Sequence, residues 1–242
     1  MKYSDIVEKA KKKRRSGYGR IKLTDCKTWE RGNQINLWTY WHGYQLKDID
    51  EKGVDILLVG QDWGNPKRNE EVCAKIRSIQ DGVKGATYDA TASPTDKRLV
   101  NMFKAFGDKI DITRGAPGMR LFFTNYFLGY RDDSETGGMT KTIMRQDEEL
   151  FYDLVKAIKP RIIICLGKIT YEMVVGHPVK GFLVKLKRGE PFKEYYPKKE
   201  GVPVFGVAHP GSRGLYNVGG REEVMKSTWE KIAREYYDLF HD

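Results

Sequence analysis

Four short apolar runs constrain the fold of this chain more than any other feature. They cover residues 54–60, 120–127, 161–167 and 202–208, and apolar side chains or glycines follow one another in them almost without alternation. A strand without alternation is buried on both faces, as in a parallel sheet that carries helices on either side. Segments with helical spacing of apolar residues separate the runs. The pattern therefore predicts an α/β fold, a three-layer α/β/α sandwich with a central four-stranded parallel sheet.

The segments between the runs contain helix starts and stops. A helix begins near Ser93 and Pro94 and ends at Gly107, another is stopped by Pro160, and further helices occupy residues 168–175 and the C-terminal stretch. The remaining segments are predicted as a helix at 70–79, a loop at 81–92, a polar loop at 128–142 and a basic excursion at 179–197 that is consistent with a hairpin around Arg188-Gly189.

Length and charge narrow the class of protein. The 242 residues, 40% of them hydrophobic, are enough for one domain, with residues 1–50 as a basic and aromatic N-terminal extension packed on it. The net charge is +10, and residues 9–22 carry eight basic residues and no acidic one. Such a patch attracts polyanions, or is simply a solvated surface. Nucleic acid is therefore the first partner to consider.

Cysteine usage and hydropathy favour a cytoplasmic protein. The three cysteines are far apart, which argues against a disulfide framework. The Lys-rich start lacks the apolar segment of a secretory signal, and no apolar run reaches the length of about 18 residues that a membrane span needs. We expect a monomer without a cofactor, although no sequence feature decides the oligomeric state.

Two segments within the first 45 residues can each be interpreted in two ways. Residues 1–15 form either a short basic helix or a frayed arm. Residues 26–45 are dense in tryptophan and tyrosine and are interpreted as a cover packed on the sheet, with a base-stacking platform as the alternative.

Polar side chains follow three of the four predicted strands. Asp62 follows the first strand, Asn125 ends the second and His209 follows the fourth. Parallel strands present these ends at one edge, where open α/β sheets bind their ligands. Each residue also has a structural explanation, because Asp62 can cap a turn, Asn125 can satisfy a loop backbone and His209 can be a hydrogen-bonded, partly buried histidine. Their coincidence at one edge favours a site.

These residues stand in four motifs that occur in order along the chain, namely Gly60-Gln61-Asp62, Asn125, the passage from Lys159-Pro160 to Gly167, and His209-Pro210-Gly211-Ser212. With these motifs, residues 54–240 resemble the uracil-DNA glycosylase superfamily. The resemblance implies a four-stranded parallel sheet between helices. It also implies metal-free hydrolysis of the N-glycosidic bond of uracil, or of a related deaminated or damaged base, in DNA.

The resemblance gives each residue an expected role. Asp62 positions a water and stabilises the cationic sugar, while His209 donates a hydrogen bond to the departing base. Asn125 reads the base edge, since one amide offers both a donor and an acceptor. The other expected contacts are Gly60, Gln61 and Tyr88 with the flipped base, and Ser93, Ser212 and Arg213 with the flanking phosphates.

The chain departs from the superfamily pattern at three places. Trp63 and Gly64 stand where the best-known branch has Pro-Tyr, so strict selection of uracil is in doubt. Gly211 replaces the serine of many members. No evident apolar wedge follows the last motif before Leu215 or Tyr216. The three scattered cysteines also argue against the iron–sulfur cluster of some branches.

Two other functions remain open. One is a glycosylase-fold protein that only binds nucleic acid or a nucleotide, and the other is a nucleoside-processing hydrolase. A phosphate-binding loop is excluded, because residues 167–170 lack the upstream glycine and the adjacent Lys-Ser/Thr pair of that motif. Metal catalysis is poorly supported, because the four histidines form no ligand pair at helical spacing.

Overall fold

A computed structural model describes residues 1–17, 21–24, 49–62, 94–107, 120–131 and 138–240. The aromatic region 26–45, the helix predicted at 70–79 and the loop predicted at 81–92 lie outside these residues. All statements below concern the described parts of the chain.

Seven strands form a large and a small sheet within these parts. The large sheet has the order β3-β2-β5-β7-β6, in which β2, β3, β5 and β7 are parallel and β6 runs antiparallel to β7. The small sheet pairs β1 with β4. In chain order the strands are β1 (Leu23–Thr24), β2 (Ile56–Gly60), β3 (Leu121–Asn125), β4 (Tyr130–Arg131), β5 (Ile162–Leu166), β6 (Phe192–Tyr195) and β7 (Pro203–Val207).

The four parallel strands confirm the predicted sheet and correct its strand count. Every residue of β2, β5 and β7 is buried, which is the arrangement that near-continuous apolar sequence favours. The fifth strand, β6, was not predicted, because its four residues are partly or fully exposed and carry no apolar run. It lies at the edge of the sheet, where such a pattern is tolerated.

Helices flank the large sheet and complete the three layers. Phe103, Phe106 and Trp229 form a buried aromatic cluster, with the ring centroids of Phe103 and Trp229 4.8 Å apart. This cluster joins the third and the last of the helices described. In chain order the helices are α1 (Tyr3–Lys12), α2 (Ile49–Lys52), α3 (Pro94–Phe103), α4 (Lys141–Met144), α5 (Glu148–Ile158), α6 (Lys168–Val175), α7 (Phe182–Lys187), α8 (Ser212–Asn217) and α9 (Glu222–Phe240).

The hairpin expected in the basic excursion is wrong. Its first arm is α7, in which Phe182 and Leu186 are spaced four residues apart and are both buried. In a helix residues 182 and 186 share a face that residue 184 does not, whereas in a strand Val184 would share their face and be buried with them. Leu183 and Val184, between them, are exposed.

The N-terminal segment forms a helix and packs on the core. Ile6 and Ala10 of α1 are fully buried, and the helix lies against α5. Arg15, which follows the helix, forms a buried ion pair with Asp147 at 2.8 Å. These contacts decide between the helix and the frayed arm in favour of the helix.

Candidate active site

The carboxyl edge of the parallel sheet brings the three polar strand ends to one side of the molecule. Asn125 is the last residue of β3, and Asp62 and His209 each stand two residues beyond β2 and β7. Because β5 separates β2 from β7, the ends of those two strands are roughly 10 Å apart at the usual spacing of neighbouring strands. A small planar ligand can reach groups on both sides of such a gap.

Asn125 and Gly60 are matched in shape. They are register partners of β3 and β2, and a Cβ on Gly60 would lie 2.1 Å from Oδ1 of Asn125. Only glycine leaves room for the buried amide at this position. Beyond the strands, the N–H of Tyr126 donates to the carbonyl of Gly60 at 2.9 Å, which keeps the two segments together. In the described part of the chain the Asn125 side chain makes no hydrogen bond, so its donors and acceptor are available for a ligand.

Asp62 is a nearly buried carboxylate that has one charged partner among the described residues. Its side chain is 8% exposed, and Nε of Arg131 donates to its Oδ2 at 3.0 Å. Burial raises the pKa of Asp62 above its ordinary value, because desolvation disfavours the charged form, and Arg131 offsets only part of that effect. Within the described residues Oδ1 accepts no hydrogen bond. That oxygen can therefore accept one from a water.

His209 has a defined tautomer. Its Nδ1 accepts the backbone N–H of Gly211 at 2.9 Å, so the neutral ring carries its proton on Nε2. The residue as a whole is exposed, but the surrounding protein partly desolvates the ring and lowers the pKa of His209 below the usual value of histidine. At neutral pH the ring is thus an uncharged Nε2–H donor.

The loop that carries His209 is held by contacts that require small residues. A Cβ on Gly214 would lie 1.9 Å from the carbonyl oxygen of His209, and a Cβ on Gly211 would lie 2.9 Å from its Nδ1. Nη1 of Arg98 on α3 donates to the carbonyl of Pro210 at 3.1 Å. The ring orientation is therefore fixed both by close backbone packing and by a neighbouring helix.

A comparison with protein-family models gives one match, to the model of the uracil DNA glycosylase superfamily, over residues 46–233. The match covers well over half of the chain. The chain belongs to the uracil DNA glycosylase superfamily. Proteins of this superfamily act on DNA and usually hydrolyse N-glycosidic bonds. No significant match was found among curated proteins. None of the helices described is long and apolar enough to cross a membrane.

Membership in the uracil DNA glycosylase superfamily makes the departures at the last motif informative. Gly211 stands where many members have serine, and the ring of His209 lies so close that a larger residue would displace it. The next two residues, Ser212 and Arg213, begin α8 and are exposed. Tyr216 on the same helix is 81% exposed, more than any other large hydrophobic side chain described. Exposed polar, basic and aromatic side chains thus follow the motif directly.

The structure describes only some of the other residues that the resemblance to the superfamily implies for the site. Gln61 follows β2, and its carbonyl accepts the N–H of Phe127 at 3.0 Å. Tyr88, Ser93, Trp63 and Gly64 lie outside the described residues, so their roles stay predictions.

Arg131 is a residue of the candidate site that the sequence did not indicate. The segment 128–142 was predicted as a polar loop, whereas Tyr130 and Arg131 form β4 and pair with β1. A two-residue strand has no periodicity that could be recognised, and an arginine in a basic chain carries no specific signal. Its hydrogen bond with Asp62 is the observation that assigns Arg131 to the candidate site.

Proposed function

We propose that the protein is a DNA glycosylase that hydrolyses the N-glycosidic bond of uracil, or of a related deaminated or damaged base, in DNA. The observation that carries the proposal is the pairing of unlike groups at one sheet edge. Asp62 is a carboxylate with an open oxygen, and His209 is a neutral donor on Nε2. Reactions that separate charge between a sugar and a leaving base need groups of these two kinds.

In the proposed reaction the bond from C1′ to the base nitrogen breaks with its electron pair leaving on the base. Positive charge develops on the sugar, and the ionised Asp62 stabilises it at short range. The open Oδ1 of Asp62 accepts a hydrogen bond from a water, whose oxygen forms the new bond to C1′ and whose proton passes to the carboxylate. The products are an abasic sugar and the free base.

His209 acts on the other fragment. The base leaves as an anion, with its negative charge shared between the ring nitrogen that held the sugar and the carbonyl oxygen O2, and the Nε2–H of His209 donates a hydrogen bond to O2. A neutral donor is suited to this task because it holds its proton throughout the reaction. The lowered pKa of His209 keeps the ring in that form at neutral pH.

Recognition of the base is assigned to the end of β3. The Asn125 amide is buried and offers one acceptor and two donors to a base edge. Gly60 and Gln61 contribute backbone groups beside it. A base can reach this depth only when it is turned out of the strand, so we include base flipping in the proposal.

Contacts with the strand backbone are assigned to the start of α8. Ser212 and Arg213 are exposed there, and the net charge of +10 favours binding to a polyanion. Contact with the bases beside the vacated position is assigned to Tyr216, whose side chain is exposed on the same helix. These contacts position the DNA, while the sheet edge selects and releases the base.

The experiment measures release of uracil from a single-stranded oligonucleotide and from U·G and U·A duplexes. We expect abasic product from the wild type, and a loss of about 10²-fold or more in both Asp62→Asn and His209→Ala, as for general acid–base and electrostatic groups. Circular dichroism of each variant controls for folding. Binding of DNA without release of any base would favour the binding-only function. Release of bases from free nucleosides with little dependence on salt would favour the nucleoside hydrolase.

A further inference from the structure

The contact between Arg131 and Asp62 joins two segments that leave the sheet on neighbouring strands. Asp62 follows β2 and Arg131 follows β3, and both side chains are largely buried, with exposed fractions of 8% and 16%. Nε of Arg131 donates to Oδ2 of Asp62, and Oδ1 accepts no hydrogen bond from a described residue. The contact therefore fixes one oxygen of the carboxylate.

Arg131 is itself held by the N-terminal segment. It lies in β4, where its register partner is Leu23 of β1. The chain before β1 is tied to the core by Arg15, which binds Asp147, and by Ser16, which exchanges two backbone-to-side-chain hydrogen bonds with Gln146. Residues 1–24 all lie outside the superfamily match, which begins at residue 46.

We propose that Arg131 is a positioning residue for Asp62, and that the described N-terminal residues 1–17 and 21–24, through β1, complete the catalytic site by holding Arg131 in place. This inference rests on the proposed function, because it explains how the water-binding carboxylate is kept in its working form. It assigns a role to a part of the chain that the superfamily model does not cover.

The physical need for such a residue follows from burial. A carboxylate that has lost most of its water favours the protonated form, in which it accepts no proton from a water and stabilises no cation. The guanidinium of Arg131 opposes that tendency through its charge and its hydrogen bond, and these two effects lower the pKa of Asp62 against desolvation. Among the described residues, Arg131 is the charged group that acts on Asp62. Lys67, Arg68, Asp132 and Asp133 are close in sequence and lie outside them.

The test compares Arg131→Gln with Arg131→Lys, which keeps the charge, and with Arg145→Gln, which removes an exposed arginine from the 3₁₀ turn before α5. Two quantities are measured for each protein. One is the pH dependence of kcat/KM for base release, and the other is the titration of the Asp62 carboxyl carbon by NMR, with the signal assigned by its loss in Asp62→Asn. Thermal unfolding confirms that each variant is folded.

For Arg131→Gln we expect the acidic limb of the rate profile and the NMR midpoint of Asp62 to move together to higher pH by about one unit or more, which corresponds to a loss of about tenfold in rate on that limb. Arg131→Lys should recover most of the shift, and Arg145→Gln should show none. An unchanged NMR midpoint in Arg131→Gln would overturn the positioning role. Faster base release in Arg131→Gln would also overturn it, since Arg131 would then be blocking the site.

The contribution of β1 has a separate test. Successive N–H groups of a strand point to opposite sides, so one of Leu23→Pro and Thr24→Pro removes an N–H that faces β4. At least one of these variants should move the Asp62 midpoint in the same direction as Arg131→Gln. If neither does, the role of the N-terminal residues is overturned.

If the wild type releases no base, the proposed function fails. The NMR titration then still decides whether Arg131 sets the titration midpoint of Asp62.

Discussion

Two arginine–aspartate pairs each have one member in the segment that follows β3, Arg131 in one pair and Asp147 in the other, and they differ in how completely the carboxylate is bound. Asp147 and Arg15 have fully buried side chains, and Nε of Arg15 donates to both carboxylate oxygens, at 2.8 and 3.0 Å. The backbone N–H of Leu128 adds a third bond to Asp147 at 2.7 Å. Asp62 receives one hydrogen bond, from Arg131, within the described residues.

The difference separates a carboxylate with a structural role from the one that we propose to be reactive. Asp147 has its charge compensated and its oxygens occupied, so it can fasten the N-terminal segment to the core but has little capacity left for a water. Asp62 has one oxygen that accepts no hydrogen bond from a described residue, and its pKa is raised, which costs stability in the charged form. A protein keeps such a group where chemistry needs it.

The largest expected effect is on stability, when the buried pair of Arg15 and Asp147 is broken. Asp147→Asn leaves the Arg15 guanidinium buried opposite a neutral amide, and we expect the free energy of unfolding to fall by about 3–5 kcal/mol, the usual cost of breaking a buried pair. Urea denaturation measures it. The matched control is Lys9→Met, which breaks the exposed pair of Lys9 with Asp153 on the same N-terminal segment. It should leave stability within the error of the measurement, and equal losses in both variants would remove the distinction.

A smaller effect extends the comparison to the Asn125 amide at the end of the neighbouring strand. Gly60→Ala places a methyl group against Oδ1 of Asn125 and should displace the side chain. We expect kcat/KM for base release to fall about tenfold, since one oriented hydrogen-bonding group is worth roughly 1–2 kcal/mol. In the background of Asn125→Ala the same substitution should have little further effect. Additive losses in the double variant would show that Gly60 acts independently of Asn125.

The smallest effect is the pH dependence of stability. The pKa of Asp62 in the folded protein is raised above its ordinary value of 3.8, so folding favours the protonated form. This contribution to stability is fully present below pH 3.8 and is lost as pH rises through the raised pKa. Relative to Asp62→Asn, the wild type should therefore become less stable from pH 4 towards pH 7. Denaturation series at several pH values measure the difference, and a relative gain with rising pH would contradict the sign.

The sequence predicted those parts of the structure that depend on local pattern. The run at 54–60 predicts β2 at Ile56–Gly60 because its apolar residues are consecutive, and the polar residues after the runs predict the edge where Asp62, Asn125 and His209 lie. Arg15 and Asp147, however, are 132 positions apart, and no periodicity relates them. The pairing of Arg131 with Asp62 is of the same kind, since it depends on how two loops meet after the sheet has formed.

One measurement tests the central claim that Asp62 is the reactive carboxylate. Single-turnover release of uracil is compared in wild type, Asp62→Asn and Asp147→Asn, with each rate expressed per folded molecule from a parallel denaturation curve. We expect Asp62→Asn to lose about 10²-fold or more in rate at undiminished stability at neutral pH, and Asp147→Asn to keep its rate within a few-fold while it loses stability. Uracil release by Asp62→Asn at the wild-type rate would contradict the assignment.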